Sequence, residues 1–377
     1  MKPILLLGLL LTALPGLSQP REARASRQPP FTTRGKQLLD PCGQPLVLKG
    51  VNKMVYFDEQ DTVGAISFAQ MAQTRANCVR VVWQMRDDHT RQPSSLARLD
   101  RILANARANQ LLPIVGLWDY TDEPGRTDGG FSHLPQYVAW WTQPAVVALI
   151  RKHRDWLIVN IANEAGLAGE FDADSLNRYA AAYKQAIQTM RAAGIDVPLM
   201  IDGMDRGKSL RCFAAKGTDL LAADPLRRLL FSFHPYWPKS ATDAADGGQY
   251  IHNRFAEVAT LPVPIVMGEL AKFGAVPDGQ TSPGANASIA DYQQFLLEAD
   301  AQQMGWLIWE WGPNPACPEL DMTLNRMFSS LRSIRPNDRR FWMRDLALLA
   351  PNGLLQSARK TPFMLRGEQA CATTPRP

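Results

Sequence analysis

Eight short apolar runs, separated by stretches with helical spacing, recur along this chain. They are Leu46–Asn52, Cys78–Trp83, Leu112–Leu117, Trp156–Ala162, Leu199–Asp202, Leu229–His234, Ile265–Glu269 and Gly305–Trp309. The runs are often β-branched and continuously hydrophobic, the mark of parallel strands buried on both faces. Between them the spacing predicts helices near 63–75, 94–109, 134–153, 173–193, 209–222, 250–260 and 289–303. Ser94-Ser95 supplies an N-terminal cap for the second helix, and Gly194 follows the fourth as a C-terminal glycine would. This alternation predicts an α/β fold: a (β/α)8 TIM barrel in a single domain. A doubly wound open sheet is the alternative, but no GxGxxG follows the first run.

At 377 residues and 46% apolar, the chain has enough material for one barrel-sized core. Its N-terminus carries Lys2, then an apolar core from Ile4 to about Leu14, then Pro15-Gly16-Leu17-Ser18. That run is too short to span a bilayer and reads as a signal peptide over residues 1–18. The expected product is secreted or periplasmic, with no membrane attachment after cleavage. Residues 19–30 lack periodicity and read as a disordered leader. Phe31 to Val47 reads as a small hairpin turning at Asp40-Pro41-Cys42-Gly43. The catalytic domain is expected over 31–345, with 346–377 a tail packed on the barrel or trailing from it.

A net charge of +5, spread along the chain, does not imply nucleic-acid binding. The densest basic stretch, Arg326 to Arg344, reads as solvated surface. Five cysteines leave at least one thiol unpaired, and no CxxC or Cys/His cluster suggests a metal site. Pairings cannot be read from spacing; Cys42 with Cys371 is the guess that neighbouring barrel termini suggest. Cys78 lies in a buried run and reads as a core thiol.

Two of the runs end in a glutamate: Val159-Asn-Ile-Ala-Asn163-Glu164 and Pro264-Ile-Val-Met-Gly268-Glu269. A charge at the end of an apolar strand is costly unless it sits in a polar cleft. A single such glutamate is more often a helix-end charge or an ion-pair partner. Two of them in one barrel favour a shared site at the C-terminal ends of the strands. The same ends carry Asn52, Arg80, Trp83, Trp118, Asp119, Asn163, Asp202, His234, Tyr236, Trp309 and Trp311. Polar and aromatic groups gathered there suit a sugar cleft, and paired carboxylates suit glycosidic hydrolysis.

In that reading Glu164 is the general acid/base, with its pKa raised by burial or a nearby charge. Glu269 is the nucleophile and stays ionised, helped by Arg80 and by a donor from Tyr236. Asn163 is placed to bond a sugar hydroxyl, His234 to donate into the cleft, and Trp309 to floor the cleaved sugar's position. Trp118 and Trp311 are further substrate-binding candidates. Asp202 is read as a cap for the following helix. His89, His133, His153 and His252 are given no role. Neither metal nor cofactor is expected.

Val159-Asn-Ile-Ala-Asn-Glu164, Phe231-Ser-Phe-His-Pro-Tyr236, Val266-Met-Gly-Glu269 and Gly305-Trp-Leu-Ile-Trp-Glu-Trp311 together resemble glycoside hydrolase family 5, the cellulase/mannanase family. Tyr183-Lys-Gln-Ala-Ile-Gln, Arg191-Ala-Ala-Gly and Leu199-Met-Ile-Asp202 are more similar to its bacterial β-mannanases. The resemblance implies a retaining double displacement on a β-1,4-linked polysaccharide or oligosaccharide, with Glu269 attacking and Glu164 protonating. Endo-β-1,4-mannanase is the expected activity; endo-β-1,4-glucanase and a non-catalytic carbohydrate-binding protein are the alternatives. A monomer is expected. The chain departs from the family where Trp118-Asp119 replaces a third-strand histidine. It departs again where Gly203-Met204-Asp205-Arg206 lacks a tryptophan and where Leu270-Ala-Lys272 follows Glu269.

Overall fold

The computed structural model describes residues 29–86, 94–121, 127–168, 172–237, 249–272, 292–315, 317–334 and 341–372. Residues 1–28, where the signal peptide and most of the leader are expected, lie outside the described residues, as does His89.

Three short strands come first: β1 (Thr32–Arg34), β2 (Gln37–Leu39) and β3 (Pro45–Leu46). They form an antiparallel sheet in the order β1-β2-β3 rather than the single hairpin expected. The extra turn is at Gly35, which adopts a positive φ of 57° that other residues resist. The second turn is held by Asp40, whose Oδ1 accepts from the backbone N–H groups of Cys42 and Gln44.

The eight apolar runs become β4 (Lys49–Lys53), β5 (Cys78–Trp83), β6 (Leu112–Leu117), β7 (Ile158–Asn160), β8 (Leu199–Asp202), β9 (Leu229–Phe233), β10 (Ile265–Leu270) and β11 (Gly305–Ile308). All pair in parallel, and β11 pairs with β4 to close the barrel. Every residue of these strands is buried, which is why they read as continuous apolar runs.

The helices are α1 (Ala65–Ala72), α2 (Leu96–Ala108), α3 (Leu134–Trp141), α4 (Pro144–Lys152), α5 (Ala173–Ala192), α6 (Arg211–Ala223), α7 (Gln249–Ala256) and α8 (Tyr292–Ala301). The helix expected over 134–153 is therefore two. Pro144 has no N–H to continue a helix and forces Gln143 into extended backbone (ψ 136°), then starts α4 at its first turn. The Ser95 cap is present, accepting from the Arg98 N–H at 3.2 Å.

At the N-terminal ends of the strands, Cys78, Leu112, Ile158, Leu230 and Val266 join Phe31, Trp156 and Phe363 in one buried cluster. The small sheet and the chain after residue 360 thus plug that end. Burying the Phe31 and Phe363 rings contributes roughly 1.5–3 kcal/mol each. A Cys42–Cys371 disulfide ties the two segments, with 4.9 Å between the Cα atoms. The plug leaves the C-terminal ends of the strands as the open face.

Candidate active site

The barrel register brings the polar residues of the strands to that face. Asn52 of β4 lies beside Arg80 of β5, Gly116 of β6 beside Asn160 of β7, and Asp202 of β8 beside Ser232 of β9. Arg80, only 1% exposed, is the hub. Its Nη1 donates to Glu269 Oε1 at 2.9 Å and to Asn52 Oδ1 at 3.1 Å. Its Nε and Nη2 donate to Asn160 Oδ1 at 3.1 and 2.8 Å. Nη2 also donates to Asn163 Oδ1 and lies 3.4 Å from Asp202 Oδ2. A buried guanidinium is costly unless its donors and charge are met; here three amides and two carboxylates meet them.

Glu269 is fixed at both oxygens. Arg80 holds Oε1, and the Tyr236 hydroxyl donates to Oε2 at 2.7 Å. Gly268 before it is dictated by packing. A Cβ there would sit 2.3 Å from Ser232 Oγ and 2.9 Å from His234 Nε2. Only glycine lets β10 pass that close to the histidine.

Glu164 follows β7 in left-handed backbone, φ 52°, which costs a non-glycine residue roughly 1–3 kcal/mol. Asp202 Oδ2 offsets this by accepting the Glu164 backbone N–H at 2.9 Å. Its carboxylate meets His234 Nδ1 at 3.0 Å and Arg206 Nε at 3.4 Å. His234 Nδ1 also lies 3.5 Å from Glu269 Oε1, so the histidine stands between the two carboxylates. One ligand atom each from Glu164, His234 and Glu269 fall within 4.8 Å of one another. Such a trio has the spacing to hold a cation, but the Arg80 charge on Glu269 competes with one.

The shift at Glu164 runs opposite to the sequence expectation of a raised pKa. Burial pushes Glu164 up, but the hydrogen bond and charge of His234, then Arg206 and Arg80, outweigh it and hold the carboxyl below its ordinary range. His234 moves the other way. Burial works against its charge, but Glu269, Asp202 and Glu164 together raise it. Glu164 and His234 thus each favour the other's charged form. Glu269 is raised because burial, joined by the charge of Glu164, outweighs His234, Arg80 and Tyr236.

The aromatic candidates separate. Trp118 and Trp309 stack face to face, centroids 5.3 Å apart and 11° from parallel, at the ends of β6 and β11. Trp118 is half-buried and Trp309 is 6% exposed. The Trp309–Glu310 peptide is cis. Trp311, expected in the cleft, is instead a core residue. It is 1% exposed, its ring packs on Phe328, and its backbone N–H donates to Asn52 O at 2.9 Å. Asn163 is fully buried, its amide committed to Arg80 and to Thr121 Oγ1.

Asp202 is not the helix cap expected: it is wholly buried among Arg80, Asn160, Glu164 and His234. Asn160 and Arg206 join the site without having been among the sequence candidates. Asn160 carries a legible signal, since an amide inside an apolar strand needs a buried partner. Arg206 carries none, because a loop cation can point anywhere.

A closed barrel presenting two facing carboxylates, one clamped by arginine and tyrosine and the other paired with histidine, defines a retaining glycoside hydrolase. Residues 39–315 match cellulase (glycosyl hydrolase family 5), and the chain belongs to that family. It is 27% identical over 286 residues to a mannan endo-1,4-beta-mannosidase of Salipaludibacillus agaradhaerens, covering 75% of this chain and 82% of that protein. Among solved structures, a beta-mannanase from Streptomyces thermolilacinus with mannohexaose superposes with a TM-score of 0.66. The two are 24% identical over 89% of this chain and 98% of that one. The catalytic domain of the Thermobifida fusca endoglucanase Cel5A with cellotetraose gives 0.57 at 18% identity, over 85% of this chain and 98% of that one. Among the described residues, no helix is long and apolar enough to cross a membrane.

Proposed function

We propose that this chain is a secreted endo-β-1,4-mannanase working by double displacement. The observation that carries the mechanism is the fixed Glu269 facing Glu164 inside 4.8 Å. An inverting pair needs roughly 6.5–9.5 Å to admit a water between its carboxyls. The mannan preference is supported by the 27% identical mannosidase relative, and export by the N-terminal sequence.

In the first step Glu269 attacks the anomeric carbon as the glycosidic oxygen leaves. Glu164, its carboxyl held 3.0 Å from His234 Nδ1, delivers the proton to that oxygen. Arg80 on one oxygen and the Tyr236 hydroxyl on the other hold the nucleophile in place as it attacks. In the second step Glu164, again a carboxylate, takes a proton from water as that water attacks the glycosyl ester and frees Glu269.

Rates on mannan, glucomannan and carboxymethylcellulose for the wild type, Glu164→Ala and Glu269→Ala test this reading. Both variants are expected to lose on the order of 10³-fold or more. Azide is expected to rescue Glu269→Ala with inverted product. Near-wild-type turnover by either variant overturns the role assignment; a wild type active on cellulose alone replaces mannan with glucan.

A further inference from the structure

Glu164, like Glu269, is held at both oxygens. His234 Nδ1 lies 3.0 Å from Oε1, and Arg206 Nε donates to Oε2 at 3.4 Å. The histidine follows β9 directly, whereas the arginine comes from the loop between β8 and α6. That loop is strained. Asp205, Arg206 and Gly207 are left-handed in succession, with φ of 55°, 51° and 78°. Only the third is a glycine, and the other two cost roughly 1–3 kcal/mol each in that conformation. Strain of this kind persists where the surroundings over-determine the backbone, and it gathers at functional sites.

The surroundings do so here. The Asp205 N–H donates to Leu167 O at 2.9 Å, which ties the loop to the segment after Glu164. Gly207 O accepts the His234 N–H at 2.8 Å, which ties it to the other partner of the acid/base. The contacts are close. A Cβ on Gly207 would lie 3.0 Å from the His234 ring, and one on Gly166 would lie 2.6 Å from Gly203 O. The left-handed run is thus fixed against the flanks of Glu164 and His234, and its middle residue is the one whose side chain meets the Glu164 carboxylate. Lys208, two residues on, turns to Asp205 at 3.3 Å instead. The loop is also where the chain departs from its family, in Gly203-Met204-Asp205-Arg206.

We infer that Arg206 is a positioning residue for the acid/base: together with His234 it aims the Glu164 carboxyl first at the departing oxygen and then at the attacking water. The inference rests on the double-displacement reading. Glu164 gives a proton to the departing oxygen in the first step and takes one from water in the second. Misplacing its carboxyl slows each step that needs that proton transfer and spares any step that does not. The Arg206 side chain is 36% exposed, so solvent screens its charge and its effect is that of about one net hydrogen bond.

Arg206→Met and Arg206→Gln test this, since both remove the cation and keep much of the side-chain stem. On mannohexaose, whose departing sugar needs a proton, each is expected to lower kcat/KM roughly three- to tenfold. On dinitrophenyl β-mannobioside the departing phenolate needs none, and kcat/KM is expected to stay within about twofold of wild type. kcat on that substrate is expected to fall, because breakdown of the glycosyl-enzyme still uses Glu164 as base. Lys208→Met, on the same loop, is expected to change neither substrate's kinetics. Equal losses of kcat/KM on both substrates, no loss on either, or the same split in Lys208→Met overturns the inference and leaves the glycanase reading standing. A wild type that hydrolyses neither these substrates nor cellohexaose and dinitrophenyl β-cellobioside overturns the glycanase reading, and the inference with it. A wild type active on the cello pair alone removes mannan, and the same split on that pair decides the role of Arg206.

Discussion

Replacing Tyr236 by phenylalanine removes one hydroxyl and nothing else from the nucleophile's surroundings. That hydroxyl donates to Glu269 Oε2 at 2.7 Å, and the other oxygen stays with Arg80. A hydrogen bond to a charged group contributes roughly 1.5–3 kcal/mol, so the expected loss in kcat/KM is roughly 10- to 150-fold. The pH profile moves as well. The hydroxyl favours the ionised carboxyl, and Glu269 already sits above its ordinary range because it is buried. Losing the donor raises it further. Activity needs the carboxylate, so the acid limb of kcat/KM is expected to shift to higher pH, with the deficit growing as pH falls. Initial rates on mannan oligosaccharides from pH 4 to 9, with a denaturation midpoint as a folding control, measure both effects. An acid limb that stays in place or moves down would refute the clamp, as would a rate within twofold of wild type.

Arg80→Met leaves Glu269 and Asp202 buried without their cation and opens the amides of Asn160 and Asn163. It is expected to destabilise by about 3–5 kcal/mol and to abolish turnover; denaturant unfolding that matches wild type would contradict the hub role. Glu310 is fully buried, and burial, helped by the charge of Asp321 and opposed chiefly by Lys53, raises its pKa to about 8. Its folded value lies above its unfolded one, so the stability it contributes is present below roughly pH 4.5 and is lost as pH rises toward 8. Glu310→Gln is therefore expected to narrow the fall in unfolding free energy between pH 5 and 9 by several kcal/mol. Identical pH slopes for the two proteins would show that this carboxyl titrates normally.

The barrel was legible because its eight strands are buried on both faces, which forces continuous apolar runs onto the sequence. The helix break at Pro144 was legible in principle, since proline cannot continue a helix. It was masked by apolar spacing that carried across the gap. Glu164 and Glu269 stood out because a charge closing an apolar strand is tolerated only where a polar cleft receives it. Trp311 was misplaced because two tryptophans only two residues apart, Trp309 and Trp311, give no sign of which one faces the cleft. Asp202 was misplaced because an acid before a helix ordinarily caps it.

The sequence by itself determined the strand and helix order, the glutamate pair and the family, all of which rest on local pattern and short motifs. Only the tertiary structure decided which side chains surround Glu164 and which way they move its proton affinity. Those facts depend on distances between residues some 40 to 70 positions apart. Burial and nearby charge set a proton's affinity, and neither exists until the barrel closes.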